Sequence, residues 1–298
     1  MSRLSFYDQI SKNKRNSILL VFFILAIVGT LVYLIGYLIF PELALIFLIF
    51  ATLWISAQAY LSFKYGASIV LKATNARPAD PVKHIYLINT VEGLSLAAGI
   101  PAPKVYVVDD PEINAFACGT DPEHACIAVT TGALENLNRQ ELEGVVGHEI
   151  SHVKNYDVRY MTMVAVFVGL AAILSYMFLR SVRFAGSGSG RKGGGGFGII
   201  LLLAVIFAIF APIASRLVQA MISRRREYLA DAESARLTRY PEGLASALEK
   251  IKNNNMGDMK VSESISHLFI SDPNRSALDN IFATHPPIEK RIEALRSM

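Results

Sequence analysis

One stretch of this sequence determines how the rest is interpreted: Asn138-Arg-Gln-Glu141-Leu-Glu-Gly-Val-Val-Gly-His148-Glu149-Ile-Ser-His152-Val-Lys-Asn-Tyr156. Asn138 is followed three residues later by Glu141, a pairing that caps the N-terminus of helices. Apolar residues then recur at helical spacing: Leu142, Val145, Val146, Ile150 and Val153. The stretch therefore predicts a helix over residues 138–156.

The H-E-x-x-H pattern in this helix predicts a catalytic zinc site. His148 and His152 lie one turn apart on the same face, so both imidazoles can reach one Zn²⁺ at about 2.0–2.1 Å. Glu149 points about 100° away around the axis, where it can act as a base toward the attacking water. A structural zinc site is usually closed by four Cys or His ligands and would leave Glu149 without a task. The remaining alternative is a solvated His-Glu-His helix face.

A catalytic zinc also needs a third protein ligand. The segment Ser223-Arg-Arg-Arg-Glu227-Tyr-Leu-Ala-Asp231 places Glu227 and Asp231 four apart on one helix face. Glu227 is the candidate ligand, and Asp231 can accept the outer N–H of a ligating histidine and fix its tautomer. The alternative for Glu227 is a surface pair or a salt bridge to the neighbouring arginines.

The composition indicates a membrane protein. The chain has 298 residues, of which 52% are hydrophobic and only 18% charged, against about 25% charged in ordinary soluble domains. This balance excludes a disordered or nucleic-acid-coating protein. Four apolar runs are long enough to cross a bilayer at about 1.5 Å per residue: Ser17–Phe40, Leu43–Phe63, Met161–Leu179 and Phe197–Val218. The alternative for the last two is a helical hairpin buried within protein.

Short-loop charges predict the orientation of these spans. Lysines and arginines precede the first span and follow the second, whereas the turn at Pro41-Glu42 has none. The N-terminus and the chain from residue 64 onward are therefore expected in the cytoplasm. The loop of residues 180–196, which would lie outside, opposes this assignment because it carries Arg180, Arg183, Arg191 and Lys192.

The resulting domain plan alternates membrane and water-soluble segments. We expect a cytoplasmic tail (1–16), a first transmembrane hairpin (17–63), a first catalytic part (64–159), a second hairpin with a Gly/Ser-rich loop (160–222) and a second catalytic part (223–298). The two catalytic parts would form one α+β domain with a small antiparallel sheet. Its expected strands are 104–108 and a hairpin over 113–130.

Four ordered motifs along the chain resemble the HtpX-type bacterial membrane zinc metallopeptidases, relatives of the CAAX prenyl endopeptidases. They are His148-Glu149-x-x-His152, Ser223-Arg224-x-x-Glu227-Tyr228-x-Ala230-Asp231, Ile113-Asn114-Ala115-Phe116-Ala117, and Thr284-His285-Pro286-Pro287 followed by Arg291. The resemblance implies a zincin-like fold and one Zn²⁺ per chain, held by His148, His152 and Glu227, with Glu149 as general base. It also implies a multi-pass protein of the bacterial inner membrane, with its active site facing the cytoplasm.

The resemblance gives further residues a role. Asn114, Ala115 and Phe116 would form an edge strand that pairs with an extended substrate; without it, Phe116 is a core residue. His285 would donate to the oxyanion, the alternative being a structural residue in a His-Pro turn. Arg291 would pair with Asp231 or Glu227, the alternative being a surface arginine.

The resemblance also implies an endopeptidase of membrane-protein quality control and stress response. The expected partners are membrane protein or peptide substrates, the lipid bilayer and other membrane quality-control proteases, with no nucleic acid. Two other classes stay open. A catalytically silent scaffold or regulator would not need Glu149, and a metal transporter would need ionisable residues at midplane depth, which the four apolar runs nearly lack.

Overall fold

The computed structural model describes residues 41–169, 224–257, 259, 261–273 and 285–298, together with scattered positions before residue 41. The described part is mostly helical. Its helices are α1 (Ala44–Ala73), α2 (Ile85–Ala98), α3 (Thr131–Asn136), α4 (Arg139–Lys154), α5 (residues 157–169), α6 (Arg224–Thr238), α7 (Pro241–Asn254), α8 (Glu263–Ser266) and α9 (Ile288–Arg296).

A four-stranded sheet lies among these helices. Its strands are β1 (Arg77–Pro78), β2 (Lys104–Val108), β3 (Ala115–Cys118) and β4 (Cys126–Thr130), in the order β1-β2-β4-β3. The predicted strand at 104–108 and the predicted β3–β4 hairpin are confirmed. The expectation of an antiparallel sheet is wrong, because β2 and β4 run parallel. The chain crosses from β2 to the far edge at β3 before turning back, so β4 enters between them in the direction of β2.

Helix α4, predicted from the sequence, is at the centre of the domain. It packs against α2, α6, α7 and β3. Its capping box is present: the Asn138 side chain accepts from the Glu141 backbone at 3.0 Å, and the Glu141 carboxylate accepts from the Asn138 backbone at 2.7 Å. A Cβ on Gly144 would lie 2.6 Å from the backbone nitrogen of Leu244, so this glycine permits close contact between α4 and α7.

Alternate side chains of β3 enter two separate apolar clusters. Ala115 and Ala117 face the cluster built on α4, whereas Phe116 and Cys118 face a second cluster that contains Phe269. This alternation follows from the two-residue period of a strand. β3 is thereby buried on both faces, directly beside the helix that carries the H-E-x-x-H motif.

Helix α1 is the candidate membrane span within the described residues. With the turn before it, the helix covers Pro41–Ala73, 33 residues long and apolar enough to cross a bilayer. It exposes large apolar side chains such as Phe50 and Trp54, while Val70 near its end is buried in the domain. Four spans are not confirmed: the predicted spans 17–40 and 197–218 lie outside the continuously described residues, and 161–179 is described only to residue 169.

Candidate metal centre

Three side chains from two helices meet inside the domain. α4 provides His148 and His152, and α6 provides Glu227. One potential ligand atom from each lies within 4.8 Å of the others, and all three residues are buried. The Nε2 atoms of the two histidines are 3.1 Å apart. The Glu227 carboxylate oxygens lie 3.7 Å from His148 Nε2 and 3.5 Å from His152 Nε2.

The outer nitrogen of each histidine faces its own carboxylate. His148 Nδ1 is 2.9 Å from Asp231 Oδ1, and His152 Nδ1 is 3.1 Å from Asp157 Oδ2. Both Nδ1 atoms therefore donate, and in the neutral rings both Nε2 atoms present lone pairs to each other and to Glu227. Acceptor atoms this close need positive charge between them, either a metal cation or a proton on one of the rings. Two imidazoles and a carboxylate form a donor set that zinc prefers, so the residues fit the metal.

The surroundings shift the pKa values of the two histidines in opposite directions, and burial lowers that of His148 to about 4. Burial alone would lower the pKa of His152, but the hydrogen bond to Asp157 and the charge of Glu227 raise it to about 9. Burial would raise the pKa of Glu227, yet the neighbouring histidines, His285 first, hold it well below its usual range. Glu227 is therefore an ionised carboxylate at neutral pH.

Arg291 and Asp231 form a buried pair behind His148. The guanidinium donates twice to Asp231, from Nε at 2.9 Å and from Nη2 at 2.7 Å. Each side chain is 1% exposed. Of the two expected partners of Arg291, the structure thus gives the short contacts to Asp231, while Glu227 lies 3.7 Å away.

Sequence reasoning missed Asp157, which holds the second histidine as Asp231 holds the first. Asp157 follows α4 by only a short turn, in which Tyr156 has a positive φ of 59°. That left-handed residue turns the chain back so that the Asp157 carboxylate faces His152. The only sequence signal is that Asp157 lies five residues after His152. In a continuous helix, that spacing would not place the carboxylate beside His152 Nδ1.

Glu149 is buried between α4 and β3, 1% exposed. Its carboxyl group accepts a hydrogen bond from the backbone N–H of Ala117. Burial, supported by the charge of Glu227, raises the pKa of Glu149 to about 7. A carboxylate with this pKa can both accept and return a proton near neutral pH.

His285 also lies at this cluster. Its Nδ1 is 2.8 Å from Glu227 Oε2. Its Nε2 is buried and has no hydrogen-bond partner among the residues that the structure describes. This nitrogen is available to a bound molecule, and it can donate only when the ring carries both protons, because Nδ1 already faces a carboxylate.

The structure places Asn114, Ala115 and Phe116 beside the centre but fully buried. One edge of β3 pairs with β4. At the other edge, the Ile270 backbone N–H donates to the Ala115 carbonyl at 2.9 Å. The strand expected to bind substrate is therefore covered by a later segment of the same chain.

The fold and the centre together define a zincin-like metallopeptidase, in which one helix provides two histidines and the base and a later helix completes the ligand set. Comparisons with known proteins agree. The model of peptidase family M48 matches residues 81–298. The chain belongs to this family of zinc-dependent metallopeptidases, and the resemblance to HtpX-type peptidases is confirmed.

Curated relatives cover most or all of this chain. A "Protease HtpX homolog" from Dictyoglomus thermophilum is 43% identical over 300 residues, covering 100% of this chain and 96% of that protein. Another, from Caldanaerobacter subterraneus, is 47% identical over 253 residues, 84% of each chain. The crystal structure of S. mikatae Ste24p matches with a TM-score of 0.52 and 22% identity, covering 96% of this chain and 67% of that one, and shows a shared fold. The chain is a membrane zinc protease, and a catalytically silent scaffold is not favoured.

Proposed function

We propose that this protease is a multi-pass endopeptidase of the bacterial inner membrane that cleaves misfolded membrane proteins or membrane-associated peptides on the cytoplasmic side. The convergence of His148, His152 and Glu227 beside the buried Glu149 carries the proposal. The position of the centre supports a membrane substrate. α5 begins at Asp157, five residues after His152, and leads into the third predicted span, while Glu227 lies nine residues after the end of the fourth predicted span in the sequence.

In the proposed mechanism, His148, His152 and Glu227 hold the zinc, which when bound polarises the scissile carbonyl and acidifies water. Glu149, buried beside the ligands, takes the proton of the attacking water and returns it to the leaving amine. His285 donates from Nε2 to the negative charge that develops on the carbonyl oxygen. Asp231, held by Arg291, keeps His148 in the tautomer that presents Nε2 inward.

We further propose that an extended substrate pairs with the outer edge of β3, along Asn114, Ala115 and Phe116. Backbone hydrogen bonds to a strand bind many sequences equally, because they do not depend on side chains. Such binding suits a protease that removes damaged proteins of diverse sequence.

The decisive test of the mechanism is Glu149→Gln in the full-length protein, purified in detergent. The amide keeps the shape of the carboxylate but cannot act as a base. We expect normal zinc content and a loss of cleavage of about 10²–10⁴-fold, the usual contribution of a general base. Wild-type cleavage by this variant would refute the assigned mechanism.

The proposed membrane arrangement can be tested by cysteine accessibility in a cysteine-free background. A cysteine at Pro41 or Glu42 should be labelled only from outside, and cysteines at Asp80 and Tyr240 only from inside. If the second hairpin spans the bilayer, a cysteine at Ser187 should also be labelled from outside. Labelling of the cysteine at position 187 from the cytoplasm would mean that the protein has two spans instead of four. The proposed zinc chemistry would be unaffected.

A further inference from the structure

A buried ion pair between α5 and α6 lies beside the proposed zinc ligands. One oxygen of Asp157 lies 3.1 Å from His152 Nδ1, and the other lies 3.3 Å from Arg226 Nη1. The side chains of Asp157 and Arg226 are only 2% and 9% exposed. The guanidinium of Arg226 also lies over the ring of Tyr160, 5.1 Å from its centre.

The two charged members of this cluster flank the second predicted hairpin, residues 160–222. Asp157 and Tyr160 belong to the first turn of α5, which leads into that hairpin, and Arg226 belongs to α6, which follows it along the chain. A buried ion pair is weak evidence for stability, because the desolvation of both charges opposes their attraction. Its location beside a ligand indicates a positioning role instead.

We propose that Asp157 is a positioning residue for His152 and that Arg226 acts through Asp157, so that zinc retention depends on how α5 and α6 are held together. This inference rests on the proposed ligand role of His152. A carboxylate on the outer nitrogen of a ligating histidine fixes its tautomer and ring orientation. Because Arg226 holds the second oxygen of that carboxylate, separation of α5 from α6 would release the histidine.

The test compares the release of zinc to a chromogenic chelator from full-length wild type, Asp157→Asn, Arg226→Gln and the double variant. Loss of a carboxylate behind a ligand typically costs 10–100-fold in metal affinity, and we expect Asp157→Asn to release zinc faster by that factor. Arg226→Gln should also accelerate release. The double variant should match Asp157→Asn alone, because Arg226 acts through that carboxylate.

Arg225→Gln is the matched control, since this neighbouring arginine is exposed. It should release zinc at the wild-type rate. The visible spectrum of the Co²⁺-substituted protein gives a second measurement, which should change in Asp157→Asn and not in Arg225→Gln. The inference would be overturned if Asp157→Asn released zinc at the wild-type rate, or if the effects of the two substitutions on the release rate were independent. Wild-type protein that binds no zinc would instead overturn the proposed ligand set.

The outer edge of β3 is covered by the segment that contains Phe269 and Ile270. Phe269 is paired antiparallel with Phe116, their rings 4.8 Å apart. Besides the bond from Ile270 to Ala115, the Asn114 side chain donates to the Ser271 carbonyl at 3.0 Å and accepts from the Ser271 N–H at 3.3 Å. An extended peptide bound along this edge would use the same backbone and side-chain groups.

Arg291 connects this segment to the centre, because its Nη1 donates to the Ile270 carbonyl at 3.1 Å while the same side chain holds Asp231. We infer that residues 268–271 occupy the place of a substrate strand and must leave β3 before cleavage. This inference also rests on the proposed function. The protease would then be self-inhibited until a substrate strand replaces its own.

Hydrogen exchange of the full-length Glu149→Gln variant tests this replacement. The probe is a peptide that the wild-type enzyme cleaves. Its binding to the variant is established when added variant slows cleavage of the peptide by the wild-type enzyme. Exchange at residues 268–271 should increase when the peptide binds, while residues 115–118 stay protected. Unchanged or slower exchange at 268–271 with the peptide bound would overturn the inference. Absence of cleavage by wild-type enzyme would overturn the proposed function instead.

Discussion

The two proposed histidine ligands are supported in the same way but by different parts of the molecule. His148 faces Asp231, which Arg291 of α9 holds by two short contacts of 2.7 and 2.9 Å. His152 faces Asp157, which lies 3.3 Å from Arg226. The support of His148 (Asp231 and Arg291) lies in the interior of the domain. The support of His152 (Asp157 and Arg226) is formed by residues that flank the second predicted hairpin. One ligand is therefore fixed by the interior of the domain, and the other by residues on either side of an apolar stretch of the chain.

Removal of Glu227 should have the largest effect, because this carboxylate approaches both histidines. We expect Glu227→Ala to lose bound zinc after dialysis, and with it all cleavage. Zinc content by elemental analysis is the measurement. Glu233→Ala on the same helix is the control and should keep its zinc, since Glu233 pairs with Lys154 and Arg236 away from the centre. Zinc retained by Glu227→Ala would move the third ligand elsewhere.

Substitution of Arg291 and of Arg226 compares how much each of the two histidine supports contributes to stability. Arg291→Gln should destabilise the protein by about 3–5 kcal/mol, because it leaves the charge of Asp231 buried without its partner. Arg226→Gln should destabilise it less, since the contact to Asp157 is longer and Arg226 is nearer to solvent, 9% against 1% exposed. Thermal unfolding of both variants in detergent measures this. Equal losses of stability in the two variants would contradict the distinction between the two histidine supports.

Gly144 supports both histidines, because it permits the close packing of α4, which carries them, on α7. Gly144→Ala should destabilise the domain by about 1–3 kcal/mol, because the new Cβ meets backbone that cannot rotate away. Gly93→Ala in α2 is the control, because a Cβ there meets nothing within 4 Å. It should be neutral or stabilise the helix by up to about 1 kcal/mol. Thermal unfolding distinguishes the two, and equal midpoints would contradict the packing argument.

Local signals in the sequence predicted the parts of the fold that depend on neighbouring residues. The capping box at Asn138, the helix that carries the histidines and the β3–β4 hairpin all follow from spacings of a few residues. The parallel pairing of β2 with β4 was missed because it depends on contacts between distant segments. Asp157 was missed because its position depends on the left-handed backbone of Tyr156, and the cover on β3 because Ile270 lies far along the chain.

One zinc ion is expected between His148, His152 and Glu227, and metal analysis of the purified full-length protein tests this most directly. Wild type should contain about one zinc per chain, whereas His148→Ala should lose it on dialysis, because two of three ligands cannot retain the ion. His84→Ala, which alters a half-buried histidine at the N-terminal cap of α2, should retain it. A full complement of zinc in His148→Ala would contradict the account.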